Sequence, residues 1–306
     1  MVNSYRRYGG GAVFRSFRLI STSIICAMAI GGGVVASSAS EPKPWTSVKT
    51  GAACMILPAE DEIRALVLNS GAKVDAPDCK VAVRSAMAPA AVFNKATTFN
   101  VAKACVKGAS VIRNQTEVAN LETNCDSPDD PYAETIPQPV VGKCDFRRKV
   151  YERKIVRLKP GVYCGSHNFN GVKKIKLAPG LYVVRKGSWN VNGSKFVGKN
   201  VSIYLHNRSG IQFNSGSLIR LSAPTDGPYK DILFFERKGL KHSRIVFNDV
   251  RRQLLRGLIY LPSRTLIYNA GAHLRSHDFA LVAKKLILNQ VKWRIAPFGP
   301  TDIVKR

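Results

Sequence analysis

Carboxylates are missing where positive charge is densest. Residues 141–306 carry 33 Lys and Arg against 8 Asp and Glu, residues 40–140 carry 10 against 12, and the whole chain has a net charge of +27. Glycoside hydrolysis needs two carboxyl groups facing one bond. Past Cys144 the acids are Asp145, Glu152, Asp226, Asp231, Glu236, Asp249, Asp278 and Asp302, and none forms an Asp-Asp or Asn-x-Asp cluster. Asp226 and Asp231 bracket Gly227-Pro228-Tyr229 and read as turn formers. Histidine is equally sparse. His167, His206 and His242 stand alone, and His273 and His277 lie between strand-like flanks, where their i, i+4 spacing brings nothing together. No C-x-x-C pair and no Gly-rich phosphate loop occurs, so neither zinc nor a cofactor is expected. Aromatic residues are 8% of the chain and read as packing residues, not as a stacking platform for bases. Nucleic acid is therefore not the expected partner.

Long apolar runs are also absent after the first 40 residues. That opening stretch has a basic start (Arg6, Arg7, Arg15, Arg18), an apolar Leu19 to Ala36 and a small-residue exit through Ala39. Residues 1–39 read as a secretory signal peptide, with a retained membrane anchor as the alternative. Cys26 leaves with a cleaved leader, so six cysteines remain: Cys54, Cys79, Cys105, Cys125, Cys144 and Cys164. An even set in an exported chain points to disulfides, and six cysteines allow 15 connectivities.

What the chain has in abundance is a repeat. One series of apolar strands runs through Leu181-Val184, Val201-Leu205, Ile232-Phe235, Leu258-Leu261 and Ala280-Ala283. A second runs through Ile175-Leu177, Phe196-Val197, Leu218-Leu221, Ile245-Phe247, Leu266-Tyr268 and Leu286-Leu288. Successive members lie about 20 to 30 residues apart, the length of one β-solenoid coil. Pro160-Gly161-Val162-Tyr163 and Pro179-Gly180-Leu181-Tyr182 mark corners, and Asn residues at 168, 170, 190, 192, 200, 207, 214, 248, 269 and 289 flank strands, where Asn tolerates left-handed backbone and can form a ladder. The expected fold is an all-β solenoid, a right-handed parallel β-helix of about ten coils.

That fold also selects a cysteine pairing. Consecutive pairs are separated by 25, 20 and 20 residues, one coil each. Stacked coils lie about 4.8 Å apart, within reach of a disulfide. The expected rungs are Cys54–Cys79, Cys105–Cys125 and Cys144–Cys164. The expected organisation is disulfide-stapled coils over 40–125, a Pro/Asp-rich loop at 126–140, a basic solenoid over 141–296 and a tail at 297–306.

A net charge of +25 on residues 141–306 exceeds what solubility asks for and suggests attraction to a polyanion: acidic polysaccharide, lipopolysaccharide or anionic lipid. The candidate contacts are the paired and tripled cations Arg147, Arg148, Lys149, Lys173, Lys174, Arg251, Arg252, Lys284 and Lys285, which stacking is expected to align in part.

The run Leu158-Lys-Pro-Gly-Val-Tyr-Cys-Gly165, followed by Leu177-Ala-Pro-Gly-Leu-Tyr182 and Val201-Ser-Ile-Tyr-Leu205, resembles the C-terminal region of TadG-like proteins of tight-adherence (Flp) pilus assembly. Leu221-Ser-Ala-Pro-Thr-Asp-Gly-Pro-Tyr229, Asp231-Ile-Leu-Phe-Phe235 and Gly257-Leu-Ile-Tyr-Leu-Pro262 extend the resemblance, which covers about residues 52 to 295. It implies a non-catalytic bacterial envelope protein associated with adhesive pili. The D-x-S-x-S metal motif of the von Willebrand A-like domain carried by many relatives does not occur here. Two other functions stay open: a polysaccharide-active lyase or hydrolase on a β-helix, and a secreted effector.

Overall fold

The computed structural model describes residues 45–48, 53–69 and 71–299; the leader, and the tail beyond 299, lie outside them. The described residues contain strands and no helix, and every strand pair is parallel. The chain is a parallel β-helix of about eleven coils.

Each coil has three sides. The first face stacks 146–147, 161–164, 180–185, 201–206, 232–235, 257–261 and 279–283, then 55–57, 80–83, 103–106 and 121–123. The second stacks 149–150, 167–169, 188–192, 210–214, 243–247, 264–268 and 285–289, then 66–69, 91–93 and 111–113. The third stacks 155–158, 174–177, 195–198, 218–222, 252–256, 274–276 and 292–295, then 73–76 and 98–101. Three long strands, Lys73–Val83, Arg252–Tyr268 and Phe279–Asn289, turn corners without a break. The first apolar series in the sequence is the first face. The second series conflates two faces: 175–177, 196–197 and 218–221 belong to the third, and 245–247, 266–268 and 286–288 to the second. Uneven coil lengths hide the switch.

The stacking does not follow chain order. Residues 53–123 do not sit beneath residue 146; they continue the helix beyond 279–295. At this seam Leu281 lies opposite Met55, Leu288 opposite Leu68 and Trp293 opposite Val74. The chain must therefore return from the last coil to the first, and residues 126–144 make that journey as a strap along the outside of the first face. Its contacts mark the route: Arg84 pairs with Asp129, Tyr260 Oη donates to Asp130 at 3.0 Å, Lys238 pairs with Glu134 at 2.9 Å, Tyr204 Oη donates to Gln138 at 3.3 Å and Arg185 donates to the Gly142 carbonyl at 3.0 Å. Residues 126–140 are thus a packed element rather than an exposed loop between two solenoids, and the described residues form one compact unit.

The strap explains why first-face strands such as Ile232–Phe235 are apolar at every position. Their inner side chains fill the solenoid, and their outer ones (Val162, Val183, Ile232, Leu258, Val282) pack under Tyr132 and Ile136 of the strap, with Val48 beside them. A sheet buried on both sides needs no alternation. The other two faces alternate, as in the buried-inward, open-outward pattern of Ile155–Leu158 and Lys174–Leu177.

The corners carry the repeated motifs. Gly161 and Gly180 have φ of 143° and 131°, which a side chain rarely adopts. A Cβ on Gly180 would also come within 2.6 Å of Pro160 Cγ in the coil below. The tyrosine two residues on reaches back to the corner: Tyr163 Oη donates to Lys159 O at 2.6 Å and Tyr182 Oη to Ala178 O at 2.7 Å. At the corner after the second face, Asn170, Asn192, Asn214, Asn248, Asn269 and Asn289 form the expected ladder. Asn69, Asn94 and Asn114 continue it across the seam.

All three disulfides pair as expected: Cys54–Cys79, Cys105–Cys125 and Cys144–Cys164, with Cα separations of 5.5, 5.9 and 5.7 Å. The latter two clamp the ends of the strap. Such bonds fit an oxidising, exported setting. Among the described residues no helix is long and apolar enough to cross a membrane.

Candidate polyanion-binding face

The third face brings the cations into line. Its inward positions are mainly apolar, such as Val156, Ile175, Phe196 and Ile219, with Gln253 and Ser276 buried among them. Its outward positions form two columns along the axis. One reads Arg157, Lys176, Val197, Arg220, Leu254, Arg275 and Arg294, ending at Asp75. The other includes Ile155, Lys174, Lys195, Leu218 and Arg252, and further along Lys292 and Lys73. Where one column is apolar the other is cationic: Lys195 accompanies Val197, Arg220 accompanies Leu218, and Arg252 accompanies Leu254. Each of seven consecutive coils thus shows at least one cation. At a rise of about 4.8 Å per coil, the stripe is roughly 29 Å long.

No carboxylate occupies an outward strand position on this face between Ile155 and Ile295. Arg294 reaches Asp75 at 3.5 Å where the stripe ends, and Arg256 is tied to Asp278 at 2.5 Å on the edge. A shallow depression of about 650 Å³ over the last cationic coils is lined by Lys73, Arg251, Arg252, His273, Arg275, Lys292 and Arg294, among others. The outward strand positions of the stripe carry no aromatic side chain; Trp293 points inward and is 2% exposed.

The cations singled out in the sequence are distributed differently. Lys174 and Arg252 stand on the third face, with Lys173 and Arg251 at its corner. Arg147, Arg148 and Lys149 belong to the first coil, on the turn from first to second face. Lys284 and Lys285 lie on the turn between the same two faces and are engaged by Glu62 at 3.4 and 2.9 Å. Arg157, Lys176, Lys195, Arg220, Arg275, Lys292 and Arg294 did not stand out, because each alternates with an inward apolar residue. Strand-period spacing, as in Ile155-Val-Arg-Leu158 and Lys174-Ile-Lys-Leu177, is the signal that finds them.

The buried titratable groups are occupied elsewhere. Glu236 and Arg264 form an ion pair at 2.5 Å with side-chain exposures of 0% and 1%. Ser263 N–H donates to Glu236, and Arg264 also donates to Ser243 Oγ and to the Asn207 carbonyl, fastening the turn that follows Ile232–Phe235. Burial raises the Asp130 carboxyl above its ordinary range, partly offset by donors from Tyr132 N–H and Tyr260 Oη. Burial also lowers His167, which lies 3.3 Å from Tyr151 Oη, and lowers His206, with Arg185 and Arg237 adding to the effect. Among the described residues no three His, Cys, Asp or Glu side chains gather as a metal site. No family model, curated protein or solved structure matches this chain.

Proposed function

We propose that this chain is an exported, non-catalytic protein of the bacterial cell envelope or its exterior whose third face binds an anionic glycan along the solenoid axis. One observation carries the reading: seven successive coils each present an outward cation with no intervening carboxylate. A linear polyanion laid along this stripe meets a cation at each coil and releases its counterions there. The absence of outward aromatics on the stripe disfavours single-stranded nucleic acid, which needs stacking platforms. The half-buried apolar residues between the cations, Val197, Leu218 and Leu254, suit the C–H faces of sugar rings. The likeness to TadG-like sequences supports an envelope role beside adhesive pili.

The test is retention on an immobilised acidic polysaccharide as salt rises from about 50 to about 300 mM. Wild type is expected to weaken steeply. Lys176→Gln, Arg220→Gln and Arg275→Gln together should flatten the slope by roughly two to three, at 0.7–0.9 per lost contact, whereas Arg147→Gln with Arg148→Gln should leave it unchanged. Salt-indifferent retention, or equal loss in the off-face variant, sinks the reading. Tighter binding to anionic vesicles than to the glycan assigns the face to lipid instead.

A further inference from the structure

The first and last coils leave strands paired on one side only. Among the described residues, Phe146–Val150 and Ile155–Leu158 pair only towards the second coil, and Val111–Arg113 and Leu121–Thr123 only towards the coil before them. Such rows of free N–H and C=O groups are templates for another strand, and a solenoid needs its ends covered. The two ends also differ in charge. The first coil exposes Arg147, Arg148, Lys149, Arg153 and Lys154 around Asp145 and Glu152. The last exposes Glu117, Glu122 and Asp126 around Arg113, with Glu122 also paired to Lys103 of the preceding coil at 2.8 Å. Both ends keep apolar residues in reach of solvent: Val150 and Ile155 are 56% and 47% exposed, and Val111, Ile112 and Leu121 are half-buried.

We propose that copies of this chain stack head to tail, the acidic last coil of one on the basic first coil of the next. Contact between like ends would set like charges together, whereas head-to-tail contact pairs opposite charges and continues the parallel pairing used inside the molecule. An outward column on the second face supports it. Ile267, Ile287, Val67, Val92 and Ile112 lie in one row, and at the other end of that face Val150 holds the corresponding register against Asn168. Stacking carries the row from Ile112 of one copy onto Val150 of the next. The two joined surfaces differ and stack along the solenoid axis, so the contact does not close on itself and produces linear chains. This inference is independent of glycan binding.

Sedimentation velocity of the purified protein tests it, with two variants on exposed positions. One carries Arg147→Glu, Arg148→Glu and Lys149→Glu; the other carries Glu117→Lys and Glu122→Lys. Wild type is expected to form concentration-dependent multimers. Each variant alone should need at least about tenfold more protein to associate, a loss of about 1.4 kcal/mol. Their equimolar mixture should recover assembly, because every joint then again sets opposite charges face to face. Circular dichroism confirms that both variants are folded. Wild type that stays monomeric to about 1 mM, where contacts of about −4 kcal/mol would still register, overturns the proposal. Folded variants that associate like wild type, or that fail to rescue one another, overturn it too.

Discussion

A cut through the strap should leave the molecule in one piece without a covalent link. No disulfide spans Val140: Cys54–Cys79 and Cys105–Cys125 lie before it and Cys144–Cys164 after it. A protease site introduced at Val140, which is 99% exposed, separates the chain into two fragments held by the strap contacts of residues 130–138 and by the seam. There 55–56 pair with 281–282, 66–69 with 286–289 and 73–75 with 292–294. The strap runs back over about ten coil spacings, roughly 48 Å, and a tether of that reach holds the partner at an effective concentration in the millimolar range. At about 10 µM protein, cutting it costs a hundredfold, about 3 kcal/mol, and each further tenfold dilution about 1.4 kcal/mol more. The seam buries Met55, Leu57, Leu66, Leu68 and Val74, at about 1.5–3 kcal/mol for each side chain fully buried, so it outlasts the cut. The nicked protein should elute as one species natively and run as two bands on a non-reducing denaturing gel. Its Tm should fall on dilution while that of the intact chain does not. Adding Leu68→Ala, at about 2–5 kcal/mol, should lower the nicked Tm further and bring dissociation to a higher protein concentration. Halves that part at about 10 µM without it, or a nicked Tm indifferent to dilution, would refute the seam.

Two further perturbations probe the ladder and the strap. Asn269 donates to Asn248 at 2.5 Å and accepts from Asn289 at 2.8 Å, so Asn269→Ala strands two neighbours and should cost about 1–3 kcal/mol in denaturant unfolding. Asn114, exposed at the end of the ladder with one rung bond to Asn94, should cost less on the same change; the reverse order would refute a cooperative ladder. Burial raises Asp130 when folded, so the protonated acid is the form the fold prefers. Its contribution is fully present below the unfolded value of about 3.9 and fades as pH rises through the higher folded value. Strap proteolysis should therefore accelerate from about pH 4 upward more in wild type than in Asp130→Asn; identical profiles would exclude Asp130 as the source.

Local chemistry was readable where a corner or a coil length imposes it. The Pro-Gly-x-Tyr runs encode a corner, since Gly180 must take a left-handed angle directly over Pro160. Cysteine spacing encodes disulfide rungs, because one lap of backbone returns each residue to its neighbour's side. The seam leaves no such mark. Asn69 meets Asn289 across 220 residues of chain, and nothing local in either strand names its partner. Nor does the Pro-rich text of 126–140 announce a packed strap, because its anchors, Tyr132 and Ile136, are isolated among polar residues. The basic face was obscured for a related reason. Adjacent cations such as Arg251-Arg252 catch the eye, but on a strand only every second residue shares a face, so a run of two marks a corner and a run of one marks the stripe.

The arrangement of that stripe limits the cost of gathering so much charge. Two cations one coil apart in a single column lie about 4.8 Å from each other and repel by about 0.9 kcal/mol in water. From Lys195 through Arg220 and Arg252 to Arg275, the outward cation changes column at every step. Same-face positions on one strand are about 6.7 Å apart, so each change stretches the separation to about 8 Å and lowers the repulsion to about 0.5 kcal/mol. Alternation loosens the pairs along the middle of the stripe, while Arg157–Lys176, Lys174–Lys195 and Arg275–Arg294 stay stacked within one column at its two ends. It also leaves a track between the columns with cations on both sides, which an extended polyanion can occupy without any side chain moving towards it.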